Sequence, residues 1–239
     1  MARRHERRIS FQMTSFHFYF ETMAGTHLRD SVRALRDAGS ADALYAPSLR
    51  TCDPNAISYE DFSLARDEAE GWRVTFCRRS LLFAAFAAEA YANDFLYEKW
   101  GGQDREALRK LSTVDKYAIL SVLAGAKTVL ERGREPLQSI KWLFDRRNEL
   151  VHAAPCNGRD LTWDPANHNP LAAATSIVAV ADAVARLTGE APRASVLSYV
   201  LAERQALLEY GKGAADELPE IHDPPSPDLL SNARRRDWS

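Results

Sequence analysis

The stretch Val74-TFCRRSLLFAAFAAEAYANDFLYEK-Trp100 repeats apolar residues at the three- and four-residue intervals of an α-helix along its whole length. Leu82, Phe86, Glu89, Asn93, Leu96 and Trp100 follow a 4-3-4-3-4 spacing, which places them on one stripe. Working outward, the same period predicts long helices at about 135–153, 170–188 and 193–210, and no segment alternates as a strand would. Shorter helical pieces fall at about 103–111 and 113–124, the second opened by Ser112 and Thr113 as caps with Asp115 in its first turn. Gly101 and Gly102 end the first long helix, Glu135-Pro136 starts the next with proline in its first turn, and Pro155, Asn157 and Gly158 stop it. The fold class read from this pattern is all-α.

Residues 1–73 read as a partly helical N-terminal extension, with an aromatic patch at Phe16, Phe18, Tyr19 and Phe20 and a helix from about Thr26 to Ala38. Arg29, Arg33 and Arg36 recur on that helix at the spacing of a solvated face. Residues 74–210 read as the helical bundle, and 211–239 as an extended, proline-rich tail.

Of the 239 residues, 46% are hydrophobic and 27% charged, the mix of an ordinary globular chain. A net charge of −2 gives no whole-molecule attraction to nucleic acid or anionic membrane, so any phosphate binding must come from a local cluster. Cys52, Cys77 and Cys156 form no CxxC pair and are odd in number, against both a disulfide framework and a zinc site. No metal or cofactor is expected. The N-terminal stretch lacks the continuous apolar run of a secretory signal, and no later segment reads as a membrane span, so a soluble cytoplasmic protein is expected. GxxxxGK[ST], GxGxxG, HExxH and GxSxG are all absent.

Two polar residues, Glu89 and Asn93, interrupt the apolar stripe of the 74–100 helix, and burying them requires partners. Arg147 interrupts the stripe Ile140, Leu143, Leu150 on the 135–153 helix, so a buried Glu89–Arg147 ion pair is the plain structural expectation. Asn148 and His152 are four apart and share a face, while Arg147 and His152 are separated by about 140° around the axis. Near the helix C-terminus the dipole favours imidazolium at His152 by about 0.3–1 kcal/mol. The remaining histidines, His5, His17, His27, His168 and His222, read as surface residues.

The run Arg147-Asn148-Glu149-Leu150-Val151-His152 resembles the signature of the HEPN superfamily, and Ala87–Leu96 is similar to the first core helix of many of its members. The resemblance covers about Val74 to Tyr210. It implies a HEPN-like bundle of four to five core helices, a homodimer that joins two motifs in one cleft, and metal-independent cleavage of an RNA substrate. It further implies Arg147 and His152 as catalytic residues with Asn148 beside them, and Glu89 and Asn93 in supporting roles. A toxin-like or defence ribonuclease restrained by an antitoxin or other protein partner is the function so implied. The alternative is a HEPN-like bundle that binds RNA, a nucleotide or a protein without cutting. Chemically the residue types suit the first reading: a histidine moves protons near neutral pH, and an arginine offers a planar fork of donors to phosphate.

Overall fold

The computed structural model describes residues 23–41, 59–151, 169–189 and 196–213, which hold helices and connecting turns and, among the described residues, no strand. In chain order they are α1 (23–39), α2 (Tyr59–Lys99), α3 (Gly102–Arg109), α4 (Thr113–Leu123), α5 (Leu137–Val151), α6 (Pro170–Thr188), α7 (Val196–Ala202) and α8 (Arg204–Gly211). The all-α expectation holds.

Helix α6 is the centre of the bundle. Asn169 caps it by accepting from the Leu171 N–H at 2.9 Å, Pro170 occupies its first turn, and Gly189 closes it at φ 80°. Its buried residues include Ala173, Ile177, Val178, Ala179, Ala181 and Ala183, spread around most of the circumference. By length and hydropathy α6 is the one helix among the described residues able to cross a membrane, an exception to the expectation of none, and 61% of that stretch is buried inside the protein. A helix enclosed by its own neighbours becomes apolar all round for the same reason a membrane span does.

Helix α2 begins 15 residues before the predicted start at 74 and runs unbroken through the expected domain boundary. Its first turn carries Glu60 and Asp61, which suit the positive end of the helix dipole. In that opening segment Ala69 is buried, whereas Leu64 and Trp72 are exposed. Nor is α1 an extension in the packing sense. Leu28, Val32 and Leu35 lie in the same core as Leu81, Ile140 and Ile177.

Small residues let α1 and α2 approach closely. Ser31 Oγ donates to the Ser80 carbonyl at 2.7 Å, and Ser80 Oγ donates to the Ser31 carbonyl at 2.9 Å. The two helices are antiparallel, since His27 stacks on Phe83 and meets Phe86, whereas Ala38 packs on Phe76 and Cys77. His27 is therefore half-buried in an aromatic cluster and not the surface residue expected. Cys77 is fully buried, and desolvation, opposed by the nearby Arg73, pushes its thiol up to about 12, so it stays protonated and unreactive. Cys52 and Cys156 lie outside the described residues.

Ser112 caps α4 as expected, accepting from the Asp115 N–H at 3.2 Å. Tyr117 is wholly buried and donates to the Ala88 carbonyl at 2.9 Å, which ties α4 to the middle of α2. Pro136 directly precedes α5 and accepts from the Ile140 N–H, one step before the predicted position. The helix expected at 193–210 is two, α7 and α8, yet hydrogen bonding crosses the bend: Glu203 N–H donates to Tyr199 and Leu207 N–H to Glu203. The tail beyond residue 213 lies outside the described residues.

Candidate functional site

Arg147 belongs to the face of α5 that buries Ile140 and Leu143, one turn closer to the C-terminus. Its side chain is half-buried, with Nε enclosed and lacking a hydrogen-bond partner, and Nη1 donates to Asn148 Oδ1 at 2.9 Å. Its neighbour Arg146 is committed elsewhere: Nη2 meets Glu149 Oε1 at 2.7 Å and the guanidinium lies 5.9 Å from the Trp142 ring. Among the described residues the two arginines are thus distinct in kind, one held by a carboxylate and an aromatic face, the other bonded to a neutral amide. His152 follows the last residue of α5 and lies outside the described residues.

The direction of each helix fixes which end of the bundle carries Arg147. Arg186, near the end of α6, donates to the Glu135 carbonyl at the start of α5, so α5 and α6 run antiparallel. The C-terminal turn of α5 therefore lies at the N-terminal end of α6. That end also receives the end of α8, where Gly211 abuts Leu171 and Ala174, and the end of α1, where Tyr210 donates to the Arg36 carbonyl at 2.7 Å. Because Ala38 packs on Phe76 and Cys77, Arg147 shares a level with roughly the 76–80 segment of α2.

Glu89 and Asn93 stand at a different level. Asn93 Oδ1 accepts from Lys116 Nζ of α4 at 2.8 Å, and Glu89 lies close enough to act on the same ammonium electrostatically. Residue 80 to residue 89 is about 14 Å of helix at 1.5 Å per residue, and the gap between packed axes adds about 8–10 Å. No ion pair joins Glu89 to Arg147 among the described residues. The expected buried pair is thus corrected: the polar residues of the α2 stripe are answered by α4, not by α5.

Lys116 escaped the sequence reading. It is 5% exposed and sits among Thr113, Tyr117 and Leu120 on the buried side of α4, a charge interrupting an apolar stripe in the same way as Glu89. Burial lowers its pKa below the ordinary 10.5; Glu89 opposes this and Arg109 adds to it. With the folded pKa below the unfolded one, the unfolded chain binds more protons in the window between them, and stability rises with pH there. Lys116→Met is expected to flatten that rise just below pH 10.5, read from denaturation midpoints across the alkaline range. An unchanged slope would assign the rise to other groups.

The structure thus brings Arg147 to Asn148 and, separately, Asn93 and Glu89 to Lys116. Among the described residues no group of His, Cys, Asp and Glu could hold a metal ion. Comparison of the chain with protein-family models, with curated proteins and with solved structures finds no match.

Proposed function

We propose that this chain is a metal-independent endoribonuclease of HEPN type, acting in the cytoplasm as a homodimer on an RNA substrate. The observation that supports the reading best is Arg147: a half-buried arginine at the end of a core stripe, bonded to Asn148 and, among the described residues, to no carboxylate, five residues before His152. A structural arginine at such a place ordinarily finds a carboxylate, as Arg146 finds Glu149. An arginine kept clear of carboxylates retains its fork of donors for phosphate.

In this mechanism the ribose 2′-OH attacks the adjacent phosphate. His152 takes the proton from that hydroxyl or returns one to the leaving oxygen, and Arg147 stabilises the charge that develops on phosphorus. Asn148 orients the Arg147 guanidinium through the bond already present. Glu89 and Asn93, at their own level with Lys116, support packing and take no part in the chemistry. A toxin or defence role, with an inhibitory protein partner, fits an enzyme whose site needs no cofactor to act.

Two measurements test the reading. Purified protein incubated with total RNA and with transfer RNA should cleave it, and an Arg147→Ala/His152→Ala double variant should not. Light scattering at micromolar concentration should give the mass of two chains; the mass of one would remove the composite site.

A further inference from the structure

The amide of Asn93 is held in one sense only. Its Oδ1 accepts from Lys116 Nζ at 2.8 Å, and an ammonium donates but never accepts, so the amide cannot be turned over there. Lys116 is itself fixed: it is 5% exposed, and the adjoining Tyr117 ties α4 to α2 by donating to the Ala88 carbonyl at 2.9 Å. The two donors of Asn93 Nδ2 therefore point away from the ammonium.

Glu89 lies four residues earlier, one turn along the same face of α2. Both side chains are half-buried, and among the described residues neither the Glu89 carboxylate nor Asn93 Nδ2 makes a hydrogen bond or an ion pair. Glu89 acts on Lys116 electrostatically without bonding to it. Two donors and a carboxylate with two acceptor oxygens thus stand side by side, their Cβ atoms about 5–6 Å apart as at any such helical spacing. Half-buried polar groups of opposite sense that do not bond each other are complementary to a ligand edge carrying an acceptor next to donors.

Of the four RNA bases, guanine alone places one acceptor, O6, beside two adjacent donors, N1–H and N2–H. Its Watson–Crick edge engages Nδ2 and both carboxylate oxygens at once, whereas the same edge of uracil, adenine or cytosine offers the carboxylate a single donor. Phe86, half-buried three residues before Glu89, supplies ring surface for a base to stack on. We propose that Glu89 and Asn93 read the Watson–Crick edge of an unpaired guanine in the RNA strand, with Lys116 as the positioning residue that orients Asn93. The inference rests on the ribonuclease reading for the source of the guanine and adds a base preference to it. Glu89 stands about 14 Å of helix from residue 80, so the site selects which RNA is bound and touches no reacting atom.

The test uses the full chain and a short 2′-O-methyl oligouridine carrying one guanine, which lacks the nucleophile and cannot be cut. Replacing that guanine by inosine removes only the N2 amino group and should weaken binding about tenfold. Glu89→Gln should bring guanine and inosine to within about twofold of each other, since its amide offers a single acceptor. Lys116→Met should lower the ratio of guanine to adenine affinity about threefold or more by freeing Asn93 to turn, and Lys116→Arg, again a donor only, should preserve it. A merely structural role would weaken every oligonucleotide alike and leave these ratios unmoved. Equal affinity for guanine and inosine in the parent chain overturns the proposal without any variant, and so does an unmoved ratio in Glu89→Gln. Guanine-dependent binding without cleavage would keep the base site and remove the ribonuclease reading. Cleavage with no guanine-over-inosine difference in binding would do the reverse. Guanosine and inosine monophosphates separate the sources: the same preference there, without binding of the oligonucleotide, would keep the guanine site and overturn RNA as its source. No binding of either probe overturns the proposal.

Discussion

Arg147→Ala is expected to lower RNA cleavage by about 10²–10³-fold or more, the usual loss when one donor to a developing anionic charge is removed. Arg147→Lys should be nearly as damaging, because an ammonium keeps the charge and loses the bidentate geometry. Both variants should keep their melting temperature. That expectation follows from the structure: Arg147 pairs with no carboxylate among the described residues, so its removal strands no buried charge. Had it bridged to Glu89, truncation would have cost about 3–5 kcal/mol and confounded the kinetics. Cleavage should persist in chelator, and products should end in a 2′,3′-cyclic phosphate, since attack by the neighbouring hydroxyl closes a ring on phosphorus. A 2′-deoxy residue at the scissile position should block cleavage. Activity abolished by EDTA, or products ending in a 3′-hydroxyl, would mean that another site cuts the RNA.

How far the sequence could carry these conclusions depended on which physical signal each element left in it. Helix α6 was legible from end to end because its apolar residues recur at helical spacing from 170 to 188, the segment that the Asn169 cap and Gly189 bound in the structure. The first 15 residues of α2 were not, because apolar periodicity reports burial, and among the described side chains there Ala69 alone is fully buried. The bend at Glu203 left no glycine or proline, since hydrogen bonding passes through it. Helix α1 showed its apolar face, but its docking depends on the reciprocal Ser31–Ser80 bonds, and a serine inside a helix gives no sign of its partner.

The site divides in the same way. Periodicity assigns a residue to a face, so Glu89 and Arg147 were both read as interruptions of apolar stripes, and both are half-buried. It says nothing of the level at which two stripes meet. That level is set by the run of α5 against α6 and of α8 against α1, contacts far apart in sequence. Lys116, a third interruption, was the missing partner, and the rule that found Glu89 applies to it equally.

Gly211→Ala is expected to destabilise the fold by about 1–2 kcal/mol, although alanine is the better helix former. A Cβ at residue 211 would come within 2.8 Å of Leu171 Cα, 2.9 Å of Ala174 Cβ and 3.0 Å of the Pro170 carbonyl oxygen. These atoms belong to the first turns of α6, the central helix, and a rotamer change cannot move backbone aside. Overpacking of this kind costs about 1–3 kcal/mol, against which the helix-propensity gain of alanine over glycine returns at most about 1 kcal/mol. For a chain of this length each kcal/mol moves the melting temperature by about 2–4 °C, so a fall of several degrees is expected. Gly71 supplies the control of opposite sign. It also lies in a helix, α2, and a Cβ there meets nothing within 4 Å, so Gly71→Ala should stabilise by about 0.4–1 kcal/mol through the unfolded chain. Calorimetry of the two variants beside the parent separates propensity from packing. Equal stabilisation by both would show that α8 does not press on the start of α6, and the level assigned to Arg147 would lose one of its contacts.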